Sequence, residues 1–160
     1  MDWLKRLSGF HGRSISADLA VIGSVYVIGE RVLLEVRRRD KAGNDYVAEC
    51  AICTLDRDDD ELGKAVIASL RQSAHIGPDP GDIDALWNEF LRCTGHTSWA
   101  GLHNKARHFC FYGTLGDYLE ITASRKERGS FIHLDKSLRV PWTGAEIGRA
   151  LRSIINENAG

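Results

Sequence analysis

Four cysteines and six histidines are the side chains best suited to chemistry here, and their spacing limits what that chemistry could be. Cys50-x-x-Cys53 with Cys93-x-x-His96 supplies three thiols and one imidazole, donor types and spacings that suit tetrahedral zinc. The local pattern argues the other way. Cys50 and Cys53 fall in a β-rich run without a glycine knuckle, and residues three apart on a regular strand point to opposite faces. Ordinary reduced thiols and a loop histidine are therefore expected, with zinc on Cys50, Cys53, Cys93 and His96 as the alternative.

Nucleophilic catalysis by Cys93 or Cys110, with His96, His103 or His108 as base, is the second chemistry these residue types allow. No nucleophile elbow, catalytic-cysteine signature or glycine-rich phosphate loop accompanies them, so polar histidines around a linker are expected instead. Asp82 and Asp84 follow Pro80-Gly81 and read as a helix start rather than an acid-base pair. No catalytic residue and no cofactor is expected.

Charge clusters at one place. Asp56-Arg57-Asp58-Asp59-Asp60-Glu61 sets five acids against one base at a helix start, where the helix dipole favours negative charge. Two acids suffice for capping. The surplus on Asp56, Asp58, Asp59 and Asp60 could face a basic partner such as a nuclease cleft, and a solvated, dipole-matched helix start is the competing account. Arg37-Arg38-Arg39 and Arg125-Lys126-Glu127-Arg128 read as hairpin solvation.

The elements that position these groups come from periodicity. Leu19 to Ile28, the alternating stretch around Val32, Leu34 and Val36, and Tyr46 to Leu55 read as a three-stranded meander, with Lys41-Ala42-Gly43-Asn44 as a turn. A helix follows with Leu62, Ala65, Val66, Ser69 and Leu70 on one stripe and Asp58 and Glu61 at capping-box spacing. After a seam at His75 to Gly81, the stripe Ile83, Leu86, Trp87, Phe90 and Leu91 predicts a linker helix ending near Gly95, and Ser98 to Leu102 a short irregular or helical piece. Trp87, Trp99 and Trp142 lie on or beside apolar stripes and read as core; Trp3 is undetermined. Arg107 to Thr114, Asp117 to Ala123 and Phe131 to Val140 then read as strands, with turns at Gly116 and Glu127-Arg128-Gly129. On the last strand Ile132, Leu134, Leu138 and Val140 share a face that Lys136 interrupts.

The closing helix repeats the first. Glu61-Leu62-Gly63-Lys64-Ala65-Val66 recurs as Glu146-Ile147-Gly148-Arg149-Ala150-Leu151 at an offset of 85 positions (146 − 61 = 85). Thr143 and Glu146 repeat the capping box, and Ile147, Ala150, Leu151, Ile154 and Ile155 the stripe. Gly63 and Gly148 each cost about 1 kcal/mol of helix propensity, which close approach to the sheet could offset. The expected fold is α+β: antiparallel sheet, one or two, packed by helices, with an internal β-β-β-α duplication joined by a linker helix. Residues 1–160 are expected to form a single domain, with halves at about 19–74 and 106–158 and a linker at 75–105.

A charge of −1 and a pI near 6.6 lack the footprint of a general nucleic-acid binder. The first ten residues hold no secretory core and no stretch approaches a membrane span, so a cytoplasmic protein with free thiols is expected. Oligomeric state is open.

The element Ser98-Trp99-x-x-Leu102-x-x-Lys105-Ala106, the strands after it, and Val140-Pro141-x-Thr143-x-x-Glu146-Ile147-Gly148-x-Ala150-Leu151 together resemble immunity proteins of bacterial contact-dependent growth inhibition systems. The resemblance spans mainly residues 95–158, and Asp60-Glu61-Leu62-Gly63-x-Ala65 is consistent with it. It implies a small cytosolic protein that binds and blocks the C-terminal toxin domain of a large secreted exoprotein, often a nuclease. A Cys/His-dependent or metal-binding enzyme and a plain protein-interaction domain remain the alternatives.

Overall fold

The computed structural model describes residues 20–128 and 130–158. Trp3, the amino-terminal stretch, the Leu19 strand start and Gly129 of the last turn lie outside the described residues.

Six strands form one antiparallel sheet: β1 (Ala20–Ile28), β2 (Arg31–Arg39), β3 (Asp45–Thr54), β4 (Arg107–Thr114), β5 (Tyr118–Glu127) and β6 (Ser130–Pro141), in spatial order β3-β2-β1-β4-β5-β6. This resolves the choice between one sheet and two. The order is symmetric about the β1–β4 seam, where Val25 pairs with Phe109 and Tyr26 with His108. Each three-stranded run therefore ends in an edge strand, β3 on one side and β6 on the other.

Strand alternation puts the larger core on one face. Val21, Val25 and Val27 of β1, Val32 and Leu34 of β2, Phe109 and Phe111 of β4, and Leu119 and Ile121 of β5 are buried there. Helices α1 (Asp59–Ser73) and α4 (Gly144–Glu157) cover that face with Leu62, Val66, Leu70, Ile147, Leu151 and Ile154, the stripes read from the sequence. Asp58 caps α1 through the Glu61 amide and Thr143 caps α4 through the Glu146 amide, so both capping boxes form at their N-cap ends.

Gly63 and Gly148 are explained by helix-on-helix packing, not by approach to the sheet. A Cβ on Gly63 would overlap the Gly144 carbonyl, and one on Gly148 would overlap the Asp59 carbonyl. The two pairs are copies of each other under the 85-position shift, since 63 and 59 become 148 and 144. Each glycine thus admits the opening residue of the other helix.

The other face carries α2 (Ile83–Thr94) and α3 (Trp99–Lys105) over a smaller core of Tyr26, Leu33, Val47, Phe90, Leu91 and Leu102. The linker is therefore a lid on the sheet's second face. Asp82 caps α2 by accepting from the Ala85 amide at 3.1 Å, as the helix-start reading requires, and Gly95 ends it in the left-handed region at φ 81°. Ser98 caps α3.

Two irregularities adjust which side chains reach this face. Between β2 and β3 the pairing passes from Val36–Glu49 to Arg37–Val47, so the extra residue Ala48 puts Val47 and Cys50 on the α2 side although they are three apart. Between β5 and β6 it passes from Thr122–Ser137 to Ser124–His133. Lys136 lies in that irregular stretch and bonds Glu157 at 3.1 Å; Leu134, Leu138 and Val140 keep to the core while Ile132 is exposed.

Candidate functional site

Face alternation separates the zinc-type set. Cys53 packs into the α1/α4 core, whereas Cys50 belongs to the α2 side and lies beside Cys93, whose thiol is 3.7 Å from the Cys50 carbonyl. His96 turns its Nδ1 to Thr94, at 3.2 Å from both the hydroxyl and the carbonyl. A sheet thus stands between Cys53 and the other members, and Cys50, Cys53, Cys93 and His96 do not make one metal site. Burial pushes the Cys50 thiol up, with Cys93 adding to it, and burial pushes Cys53 up as well.

Polar side chains instead gather in a cleft of about 340 Å³ between the sheet and α2/α3. Its walls are the half-buried Trp87 and Trp99, edge to face at 5.1 Å, with His103 and Phe131 4.6 Å apart across the mouth. Its floor is supplied by β1, β2 and β4: Ser24, Tyr26, Glu35, Arg37, His108 and Cys110. These residues alternate with the apolar ones that feed the larger core, which is why the strand sequences read as half polar.

Glu35 is 2% exposed and fully engaged: the Tyr26 hydroxyl donates to one oxygen at 2.8 Å, and Arg37 donates through Nε at 2.8 Å and pairs through Nη2 at 2.6 Å with the other. Burying a carboxylate this deep is costly unless such donors surround it. Burial, then the Glu35 charge and hydrogen bond, hold the Tyr26 phenol well above its ordinary range. Burial works against the Arg37 charge, but Glu35 outweighs it and keeps the guanidinium protonated. Arg37 therefore turns inward, correcting the solvation role expected for Arg37-Arg38-Arg39. Arg38 does act at the surface, with Glu49 at 2.9 Å, while Arg39 meets Asp45 at 3.2 Å in a half-buried pair.

Beside this ion pair, His108 stacks on Phe131 at 4.5 Å and directs Nδ1 to the Ser124 hydroxyl at 2.9 Å. His133, on the edge strand β6, brings its own Nδ1 to the same hydroxyl at 3.2 Å. Cys110 lies 3.8 Å from His108 Nε2 and 3.9 Å from His133 Nε2. The Cys110–His108 proximity that nucleophilic chemistry would need thus exists, and His108 is buried on β4 instead of lying at the surface around a linker, but the pair's electrostatics oppose thiolate chemistry. Burial lowers His108 to about 4 and raises Cys110 to about 11, so the pair rests as neutral imidazole and neutral thiol. Cys93, His96 and His103 do not complete a triad with it.

The acidic run is placed at the β3–α1 junction, away from the cleft. Asp58 accepts the Glu61 amide at 2.8 Å, Asp59 receives Arg152 Nε at 2.9 Å, Asp60 pairs with Lys64 at 2.5 Å, and Asp56 accepts from the Thr54 hydroxyl. Asp56 and Asp58 are exposed; Asp59 and Asp60 are half-buried.

Tyr26, Glu35, Ser124 and His133 were not singled out as site residues by the sequence, and Arg37 only as part of a hairpin-solvating run. The available signal was α2 itself: a tryptophan-bearing apolar stripe needs a second sheet face to land on, and the polar positions of β1, β2 and β4 are that face.

The sequence matches no protein-family model and no curated protein. Among solved structures, the chain is similar to a protein of unknown function from Neisseria meningitidis, NMB0488, at 14% identity and a TM-score of 0.69, covering 91% of this chain and 99% of that one. It is also similar to a chain of the CdiA-CT/CdiI toxin and immunity complex from Yersinia pseudotuberculosis, at 13% identity and a TM-score of 0.65, covering 86% of this chain and 96% of that one. At these identities the likeness is one of fold: the chain shares its architecture with NMB0488 and with a chain of the CdiA-CT/CdiI complex.

Proposed function

We propose that this chain is an immunity protein that binds and neutralises the C-terminal toxin domain of a contact-dependent growth inhibition exoprotein, acting in the cytoplasm and without catalysis of its own. The observation that carries the reading is the end-to-end fold likeness to a chain of a toxin and immunity complex, 86% of this chain against 96% of that one. The sequence resemblance around Ser98 to Ala106 and Val140 to Leu151 points the same way.

The proposed partner is a nuclease toxin, met by Asp56, Asp58, Asp59 and Asp60. The exposed Asp56 and Asp58 present negative charge beside a helix start, suited to steer a basic catalytic cleft into place, while Asp59 and Asp60 are half-buried and paired with Arg152 and Lys64. A non-enzymatic role is supported by the resting state of Cys110 and His108, which holds both groups in their unreactive forms.

Co-expression with the toxin domain encoded immediately upstream tests this. A stable complex on gel filtration is expected; a toxin that elutes free of this chain would overturn the reading.

A further inference from the structure

We propose that the groove between β3 and α1 seats an apolar side chain of leucine or isoleucine size, carried beside a basic residue on the toxin domain. The inference rests on the toxin-binding reading and adds to it the feature that holds the complex once formed.

The sheet has two matching margins, because α1 flanks the edge strand β3 as α4 flanks the edge strand β6. They are filled differently. Between α4 and β6, Leu134, Leu138 and Ile154 meet, Lys136 bonds Glu157 at 3.1 Å, and a cavity of about 100 Å³ remains. Between α1 and β3 the cavity is about 350 Å³.

Small residues make the difference. Under the 85-position shift Ser69 stands where α4 has Ile154, and Gln72 where it has Glu157. On the sheet, Ala51 pairs with the buried Leu34 as Leu138 pairs with the buried Ile121, and Cys53 pairs with Val32 as Val140 pairs with Leu119. Alanine, cysteine and serine thus stand where leucine, valine and isoleucine fill the other margin. Arg38 turns to Glu49 at 2.9 Å, from strand to strand and not across to the helix. Ala51 and Ala65 stay half-buried and Ala68 is exposed, so the apolar floor reaches solvent.

The filled margin shows what the open one lacks, namely aliphatic side chains. Covering apolar surface that water now reaches contributes about 25 cal/mol per Å². Charge selects what lies beside the anchor. Arg57 lines the groove, and the exposed carboxylates of Asp56 and Asp58 flank it and outnumber it, so a lysine or arginine next to the apolar residue is attracted and an acid is repelled. The acids act on the rate of association, and the seated side chain on the rate of dissociation.

Dissociation from the toxin domain encoded immediately upstream, followed by surface plasmon resonance at low and high salt, tests this. Ala51→Leu combined with Ser69→Ile gives this margin residues of the other one and should weaken binding at least about 10-fold, through faster dissociation at either salt concentration. Ala68→Gln sets a neutral, helix-compatible side chain over the groove from an exposed position, so it should keep the wild-type thermal midpoint and weaken binding in the same way. Ser153→Gln makes the change at the matching exposed position of α4 and should bind as wild type does. Wild-type dissociation in Ala68→Gln or in the double variant, or an equal loss in Ser153→Gln, would overturn the groove and leave toxin binding standing. No binding by the wild type would overturn both. A wild-type dimer that Ala68→Gln converts to monomer would assign the groove to a second copy of this chain and overturn the proposal as well.

Discussion

Gly63 of α1 lies against Gly144 of α4 so closely that a Cβ would overlap the carbonyl, and Gly148 repeats the relationship against Asp59. Helix propensity alone says that Gly63→Ala and Gly148→Ala should each stabilise by about 1 kcal/mol. Backbone overlap reverses the sign, because the obstructing atoms belong to the other helix's first turn and cannot rotate away. Each substitution should destabilise by about 1–3 kcal/mol or more in chemical denaturation. The double variant should depart from additivity, since both contacts belong to one crossing. Wild-type or higher stability in either single variant would remove the account of the helix pair.

Arg152 ties the end of the chain to the β3–α1 junction. Its guanidinium donates to Asp59 at 2.9 Å, the Leu55 carbonyl at 2.8 Å and the Arg57 carbonyl at 2.8 Å. Asp59→Ala removes only a half-exposed ion pair, worth about 1 kcal/mol or less. Arg152→Ala also strips two carbonyls of their donor and should cost about 1–2 kcal/mol after allowance for solvent screening. Thermal denaturation of both variants should give that order.

Tyr26 predicts an alkaline limit to stability. Its phenol is held above the ordinary value in the fold and returns to about 10 when unfolded, so the stabilisation is complete below pH ~10 and is lost as pH rises beyond it. Tyr26→Phe leaves one Glu35 oxygen without its donor and should cost about 1–3 kcal/mol at neutral pH. The gap between the two proteins should narrow above pH 10 when melting is followed against pH. A gap that widens there would show that Tyr26 is not the buried hydroxyl donor to Glu35.

The acidic run can be probed with little damage to the fold at Asp56, which is exposed and accepts from the Thr54 hydroxyl, whereas Asp58 caps α1 and Asp59 holds Arg152. Asp56→Lys should slow association with the toxin domain several-fold, up to about 10-fold at low salt, and reduce the salt dependence of the rate. Stopped-flow on-rates across ionic strength measure this. An unchanged rate would move the interface off the β3–α1 junction.

Much of this architecture was legible because it rests on local patterns. The stripes of α1 and α4, their caps at Asp58 and Thr143, and the strands flanking Lys41 to Asn44 follow from periodicity and turn chemistry, which act within a few residues. The separation of Cys50 from Cys53 was legible for the same reason, because strand alternation is local. The cleft was not. Glu35 and Arg37 alternate with apolar residues as solvent-facing residues do, and only the landing of α2 and α3 on that face buries them. His133 and Cys110 are brought together by β4–β5–β6 pairing across 23 positions, and the partner of Gly63 lies on another helix, so neither relationship leaves a mark within its own segment.

The central claim is neutralisation by binding, and titration of the toxin domain's own activity with increasing amounts of this chain measures it most directly. A stoichiometric inhibitor should bring the activity linearly to zero at one equivalent, and Cys93→Ser should do the same. Undiminished toxin activity in excess of this chain, or progressive loss of activity at a small fraction of an equivalent as an enzyme would cause, would contradict the account.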